Sequence, residues 1–248
     1  MQLMRFENQV ALITGASVGI GRAAALQLAK DGAKLVLLDI AFEKLEDVAR
    51  EAGAYTDTVL IYHCDISDEA RVHAVVQDAL AQLGQIDILV NNAALWRCRS
   101  LFVETSTDEW RRFFDVNVMG TVYVTQAVLP AMIEHKYGRV INVASVAGVY
   151  GNPKMAHYSA TKGAVISFTK SLAREVAEHG ITVNAVSPGS VSPASEPDID
   201  HTQPSELSYM GRTGSDRENG DLIAFLASKE ASYISGQNIQ IDGCRKKL

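Results

Sequence analysis

The sequence predicts an α/β protein with a parallel, doubly wound sheet covered by helices on both faces. Seven short apolar runs alternate with six longer stretches of helical periodicity. The short runs lack polar alternation, as strands buried on both faces do. A glycine-rich turn joins the first run to the first helical stretch, where such sheets place phosphates. The chain has 248 residues, 47% of them apolar, which suits a single domain over 1–248 with a large core.

The elements follow in order. "VALITG" (10–15) reads as a buried strand, and "GIGRAAALQLAKDG" as a helix ending at Gly32. "KLVLLD" (34–39) is the second strand. Residues 42–53 are helical, with Glu43, Lys44, Glu46, Asp47, Arg50 and Glu51 on the wet side. "TVLIYHCD" (58–65) is the third strand, followed by an amphipathic helix at 68–83 and a fourth strand, "IDILVNNA" (86–93). One long helix is expected over 107–134, with Asp108 and Glu109 in its first turn favouring its positive end. "GRVINVAS" (138–145) is the fifth strand, 156–179 a helix and "GITVNAVSP" (180–188) the sixth strand. Residues 189–212 are rich in Pro, Ser and acids without periodicity, and are read as a long substrate loop. A helix at 216–228 and "NIQIDG" (238–243) complete the pattern. No repeat or linker is visible.

Composition narrows the function. Net charge is −6, and Lys and Arg are scattered until the terminal "CRKKL", read as a solvated tail, so no nucleic-acid footprint is present. Cys64, Cys98 and Cys244 give no disulfide framework and no metal spacing. The N-terminus shows no signal peptide, and no apolar run approaches the roughly 18 residues of a membrane span. A cytoplasmic protein acting on a small molecule, away from membranes, is expected.

Ligands in such sheets bind beyond the carboxyl ends of the strands. In "TGASVGIG" (14–21), Gly15 permits a tight turn, Gly19 lets a pyrophosphate approach and Gly21 allows close helix packing. The spacing is TGxxxGxG rather than GxGxxG. Gly15, Ser17, Val18, Gly19, Ile20 and Gly21 form the candidate phosphate turn, with helix N–H groups aimed at the anion. Asp39 ends the second strand, placed to bind an adenosine ribose and to repel a 2′-phosphate. Val18 offers no cation to that phosphate. Both favour NAD over NADP. Asp65 and Ile66 are placed to hold an adenine by its amino group and ring face, although Asp65 or Ser67 could instead cap the next helix.

In "HYSATKGAV" (157–165), Tyr158 and Lys162 stand four residues apart, one turn apart on one helix face. His157 points about 100° away and adds nothing to the pair. With TGxxxGxG, "NNAA" (91–94), Asn117, Ser145 and this pair in order, the chain resembles the short-chain dehydrogenase/reductase family from Val10 to Gly243. The "PG" at 188–189 and the tail "GRTG…FLAS…YISGQNIQIDG" resemble it too.

The resemblance implies a Rossmann-like sheet with strand order 3-2-1-4-5-6-7, helices on both faces, and roles for single residues. Tyr158 is the acid in reduction and the base in oxidation. Lys162 favours its phenolate and holds the nicotinamide ribose; Ser145 fixes the substrate oxygen. Asn117 bends the long helix and binds a water that relays protons through the lysine. Asn91 and Asn92 brace the sheet, while the backbone at Asn92 and Ala93 faces the adenosine ribose. Ala94 replaces a usual glycine. Pro188, Gly189 and Val191 meet the carboxamide end of the cofactor. Pro193 stands where the family has a threonine, with Ser192 one residue early.

Trp96, Tyr150 and Met155 are the candidate substrate wall, and Arg97 and Arg99 flank Cys98 nearby. The acids of the loop (Glu196, Asp198, Asp200, Glu206) disfavour a strongly anionic substrate. The expected reaction is NAD-dependent interconversion of a hydrophobic secondary alcohol and a ketone, with a hydroxysteroid as the expected substrate. The alternatives are a 3-oxoacyl-carrier-protein reductase, which usually draws on NADPH, a sugar or polyol dehydrogenase, and a nucleotide-sensing scaffold without catalysis. Family members are commonly tetramers, so a homotetramer or dimer is expected, with Val118, Val122, Phe168 and Leu172 as candidate contacts.

Overall fold

The computed structural model describes residues 4–97, 99–192 and 197–246. Cys98, Pro193 and Glu196 lie outside the described residues. The strands are β1 (Val10–Thr14), β2 (Lys34–Asp39), β3 (Val59–His63), β4 (Ile88–Asn91), β5 (Gly138–Val143), β6 (Ile181–Pro188) and β7 (Asn238–Ile241). They form one sheet in the order β3-β2-β1-β4-β5-β6-β7. Every neighbouring pair is parallel. The order reverses between β1 and β4, and the crevice beyond their carboxyl ends is the natural ligand site.

The helices are α1 (Gly19–Lys30), α2 (Phe42–Ala52), α3 (Glu69–Leu83), α4 (Thr107–Phe114), α5 (Gly120–His135), α6 (Ala147–Tyr150), α7 (Ala156–Val176) and α8 (Asp216–Ala227). Strand pleating explains the missing polar alternation. Ala11, Ile13, Leu35 and Leu37 enter one core with Leu28, Leu45 and Ile223 from α1, α2 and α8. Val10, Leu12, Val36 and Leu38 enter the opposite core with Val75, Val128 and Leu172 from α3, α5 and α7. β1, β2, β4, β5 and β6 are buried on both faces, so successive residues are apolar, while the edge strands β3 and β7 are only partly buried.

The expected helix over 107–134 is not one regular helix. A π segment, Asp115–Met119, separates α4 from α5 and contains Asn117. Such a bulge widens the backbone spacing and re-aims the side chains it carries. This run also corrects the expectation about apolar length. Residues 107–135 contain an 18-residue window with a mean hydropathy of 1.4, long and apolar enough to cross a membrane by length and composition alone. The same composition serves the core here: α5 packs on α3, with Val124, Val128 and Met132 buried.

Three smaller corrections bear on the site. α3 is capped by Asp68, which accepts from Arg71 N at 3.0 Å, rather than by Asp65 or Ser67. β5 ends at Val143, leaving Ser145 two residues beyond it, and the one-turn helix α6 follows. The tail is not simply solvated: Tyr209 N donates to Cys244 O at 3.0 Å and Lys246 N to Leu207 O at 3.0 Å.

Candidate active site

A cleft of about 1110 Å³ runs across the carboxyl ends of β1, β2, β4, β5 and β6. Gly15, Ser17, Val18, Gly19, Ile20, Asp39, Asp65, Ile66, Asn92 and Ala93 line one part of it. Ser145, Met155, Tyr158, Lys162, Pro188, Gly189, Val191 and Trp96 line the rest. Gly21, Asn117 and Tyr150 are not on its wall.

The turn after β1 is fitted to a pyrophosphate. Gly15 has φ +64°, and a Cβ there would stand 2.8 Å from Ala93 Cα. A Cβ on Gly21 would meet Gly15 O at 2.1 Å, so this glycine sets how closely α1 follows the turn. The N-cap of α1 is Val18, which caps nothing, and its first turn holds no acid. The first N–H groups of α1 therefore keep their positive end free for an anion. Asn92 Nδ2 ties the turn to β4, donating to Thr14 O at 3.0 Å and Gly15 O at 2.9 Å. Thr14 Oγ1 accepts from Asn92 N and Ala93 N at 3.0 and 3.1 Å. Thr14 opens the TGxxxGxG motif, and its hydroxyl bonds to β4 are what the glycine spacing does not reveal.

Asp39 Oδ2 accepts from Ser17 N at 3.0 Å and Oδ1 from Ala41 N at 2.9 Å. The carboxylate is thus fixed beside the turn, with lone pairs left over. Lys44 is on the same wall. Asp65 Oδ1 accepts from Ser67 N at 2.9 Å and Ser67 Oγ at 2.7 Å, which shapes the turn after β3.

At the other end, α7 presents Tyr158 and Lys162. Lys162 Nζ donates to Val143 O at 2.6 Å and lies 5.9 Å from the Tyr158 ring centre. Lys162 is buried, and burial pushes its pKa down to about 8. Burial raises the Tyr158 phenol, and its hydrogen bond with Ser145 lowers it in part. Ser145 Oγ also accepts from Ala147 N at 3.1 Å, so α6 orients the serine.

Asn117 lies in the π segment, with its amide engaged on both sides. Its Oδ1 accepts from Leu95 N at 2.7 Å, and its Nδ2 donates to Leu95 O at 3.0 Å and Thr161 Oγ1 at 3.1 Å. Both donors are used. Its main-chain carbonyl accepts from Thr121 Oγ1 at 3.1 Å. The side chain is a brace between the β4 exit and α7, with one acceptor site left.

The substrate end mixes apolar and basic groups. Met155 is buried and Trp96 half exposed, with Arg97 stacked on the indole at 5.0 Å. Tyr150 turns away, its hydroxyl donating to Gln240 Oε1 at 2.6 Å. Ser192 lines the cleft, but its hydroxyl donates to His201 O, so it is already engaged. Asp198, Asp200 and Glu206 are exposed and off the cleft wall. His157 is fully buried, 3.4 Å from Glu109 Oε1 and against Phe113.

Residues 9–204 match the family described as short chain dehydrogenase. The chain belongs to the short-chain dehydrogenase family. Among curated members it is 41% identical over 243 residues to the 3-oxoacyl-[acyl-carrier-protein] reductase FabG of Thermotoga maritima, covering 97% of this chain and 98% of that one. It is 37% identical to the Escherichia coli protein of the same name over the same shares. Among solved structures, levodione reductase superposes with a TM-score of 0.89 at 32% identity, over 96% of this chain and 98% of that one. NAD+-bound xylitol dehydrogenase superposes at 0.88 and 32%, over 96% and 99%. The protein is a short-chain dehydrogenase of the Rossmann type, an NAD(P)-dependent oxidoreductase acting on CH–OH groups. No relative named here supports the hydroxysteroid expectation.

Proposed function

We propose that this dehydrogenase interconverts a ketone and a secondary alcohol with NAD(H), using Tyr158 for proton transfer. One observation carries the reading: Ser145, Tyr158 and Lys162 line the same cleft as the uncapped, glycine-cut end of α1. Gly15, Ser17, Val18, Gly19, Ile20 and Gly21 would hold the pyrophosphate, with Gly21 acting from behind the wall. Asp39 would take the adenosine ribose, Asp65 and Ile66 the adenine, Asn92 and Ala93 the ribose face. Pro188, Gly189 and Val191 would meet the carboxamide. Bound nicotinamide supplies or accepts the hydride.

The side chains do the rest. Ser145 donates to the substrate oxygen and sets it beside the phenol. In reduction Tyr158 Oη gives its proton to the developing alkoxide; in oxidation it takes that proton back. A phenol near pKa 10 is a poor base at neutral pH. A charged Lys162 one turn away favours the phenolate. Asn117 holds Leu95 and Thr161, and so the spacing between the cofactor groove and α7.

NAD is favoured over NADP by the fixed Asp39 carboxylate and by Val18. Lys44 is the group a 2′-phosphate would meet, which keeps NADP as the second choice. Trp96 and Met155 favour an apolar substrate body. The names of the curated relatives favour a second reading, reduction of a 3-oxoacyl thioester. Val118 and Val122 are half-buried and Phe168 packs partly on the core, leaving each some surface for a partner helix, whereas Leu172 is buried within the chain. A homotetramer or dimer through α5 and α7 is the proposed assembly, to be checked by sedimentation.

Tyr158→Phe tests the mechanism. It should lower turnover by about 10³-fold or more while NADH binding, followed by fluorescence, stays nearly intact. Unchanged turnover rejects the role. Simple ketones, sugars and acyl thioesters, each offered with NADH and NADPH, distinguish the substrate readings.

A further inference from the structure

The protein carries a net charge of −6, yet the substrate end of its cleft is basic. Arg99, Lys154 and Arg245 all line it. By contrast, Arg22, Arg50, Arg111, Arg212 and Arg217 each have a carboxylate within 4.0 Å, Arg111 on the same wall. Among the described residues, Arg99, Lys154 and Arg245 have none. Among the described residues their charged groups make no hydrogen bond either.

The backbone holds these three in place. Ser100 N donates to Lys154 O at 3.0 Å, joining the segment after β4 to the one before α7. Lys154 has φ +65°, a left-handed conformation that an L-residue adopts only when its surroundings fix it. Arg245 pairs with Ser208 in an isolated antiparallel bridge, which lays the tail along the substrate loop. That loop contributes Leu207 to the same wall. The acids on the wall are Asp39 and Asp65 at the cofactor end, Asp108, paired with Arg111 at 3.0 Å, Asp216, whose carboxyl interacts with Arg22 of α1, and the exposed Asp115, beside which Arg112 is a further basic group. Asp198, Asp200 and Glu206, expected to repel anions, are off the wall.

We infer that the substrate is anionic at its non-reacting end, a carboxylate or a phosphate received by Arg99, Lys154 and Arg245. Arg99, Lys154 and Arg245, without a carboxylate partner among the described residues, focus positive potential there. A guanidinium fork suits either anion, and Lys154 adds a point charge. Trp96, Met155 and Leu207 would enclose the carbon skeleton between that anion and the ketone. The inference rests on the hydride-transfer reading for the ketone but not for the anion.

The test uses matched pairs with the full chain: 4-oxopentanoate and 3-oxocyclohexanecarboxylate against their methyl esters, and dihydroxyacetone phosphate against dihydroxyacetone. Steady-state kinetics with NADH and calorimetric binding are both read. The charged member of at least one pair should be preferred about tenfold or more, and which pair responds distinguishes carboxylate from phosphate. In Arg245→Gln and Lys154→Gln that preference ratio should fall about fivefold, mainly through KM. Neutral members binding and reacting as well as charged ones overturn the inference. So does failure of every charged ketone to bind, or variants that leave the ratio unchanged. Selective binding of a charged ketone without turnover would sink the hydride-transfer reading and sustain this one.

Discussion

Asn117 and Leu95 hold each other through two hydrogen bonds. Leu95 N donates to Asn117 Oδ1 at 2.7 Å, and Asn117 Nδ2 donates to Leu95 O at 3.0 Å. The same Nδ2 reaches Thr161 Oγ1 at 3.1 Å, next to Lys162. One buried amide thus spans the exit of β4 and the helix that carries Tyr158. The π segment puts it there: a regular helix over 107–134 would turn residue 117 to a different angle.

Asn117→Ala should leave the Leu95 amide and carbonyl unpaired in a buried setting. The expected cost is roughly 3 kcal/mol of stability, with a fall in kcat larger than any rise in KM. Denaturant unfolding and steady-state kinetics measure both. A variant as stable as the parent would show that the brace is dispensable.

Lys162→Met should make the protein more stable and inactive. Burial lowers the Lys162 pKa from 10.5 to about 8. The folded state therefore binds this proton less tightly than the unfolded one. The cost is full below about pH 8 and fades as pH rises toward 10.5. Its size is on the order of 3 kcal/mol, offset in part by the lost bond to Val143 O. Melting temperatures of parent and variant should differ most at pH 7 and converge toward pH 10. A gap that widens with pH would contradict this.

The sheet was legible from the chain because burial on both faces leaves unbroken apolar runs, as in "KLVLLD" at 34–39. Tyr158, Lys162 and Ser145 were legible because their spacing along α7 and beyond β5 is short-range. What stayed hidden depends on long-range contacts. The π segment at Asn117 has no period of its own. The expectation for "CRKKL" failed because residues 243–246 pair with 207–210, more than thirty positions earlier. The angle of His157 to Tyr158 does not show that it is wholly buried against Phe113 from α4. The ring of Tyr150 suggests a substrate contact, but its hydroxyl reaches Gln240 on β7.

Ser145→Ala should move the pH profile of oxidation. The serine hydrogen bond lowers the Tyr158 pKa, so its loss lets the phenol rise. The limb of kcat/KM on which the base deprotonates should then shift to higher pH. The rate itself should fall by about 10²-fold or more. A lowered rate with an unmoved limb would confine Ser145 to positioning the substrate.

Asp39→Ala should reverse the cofactor preference. A charge-assisted bond is worth about 1.5–3 kcal/mol, so NADH binding should weaken roughly 10- to 100-fold. NADPH binding should tighten, because Lys44 on the same wall would meet the 2′-phosphate without an opposing carboxylate. In Asp39→Ala/Lys44→Ala that gain should vanish. Fluorescence titration of both cofactors decides it, and a parent protein that already prefers NADPH would refute the assignment to NAD.

Glu218→Gln should shorten the acid end of the stability range. Glu218 accepts from Arg212 Nη1 and Nη2 at 3.0 and 2.7 Å and from Ser215 N at 2.9 Å. It thereby caps α8 and anchors the end of the substrate loop. The Arg212 hydrogen bond, ahead of the cap, holds its carboxyl at about 2 instead of 4.5. Its contribution is therefore present above pH 4.5 and is lost as pH falls toward 2. The side chain is 41% exposed, so solvent screening reduces the effect to about 1–2 kcal/mol. Parent and Glu218→Gln should differ in melting temperature at pH 7 and converge near pH 2.5. A difference that persists undiminished in acid would place the loss in packing rather than in the ionised cap.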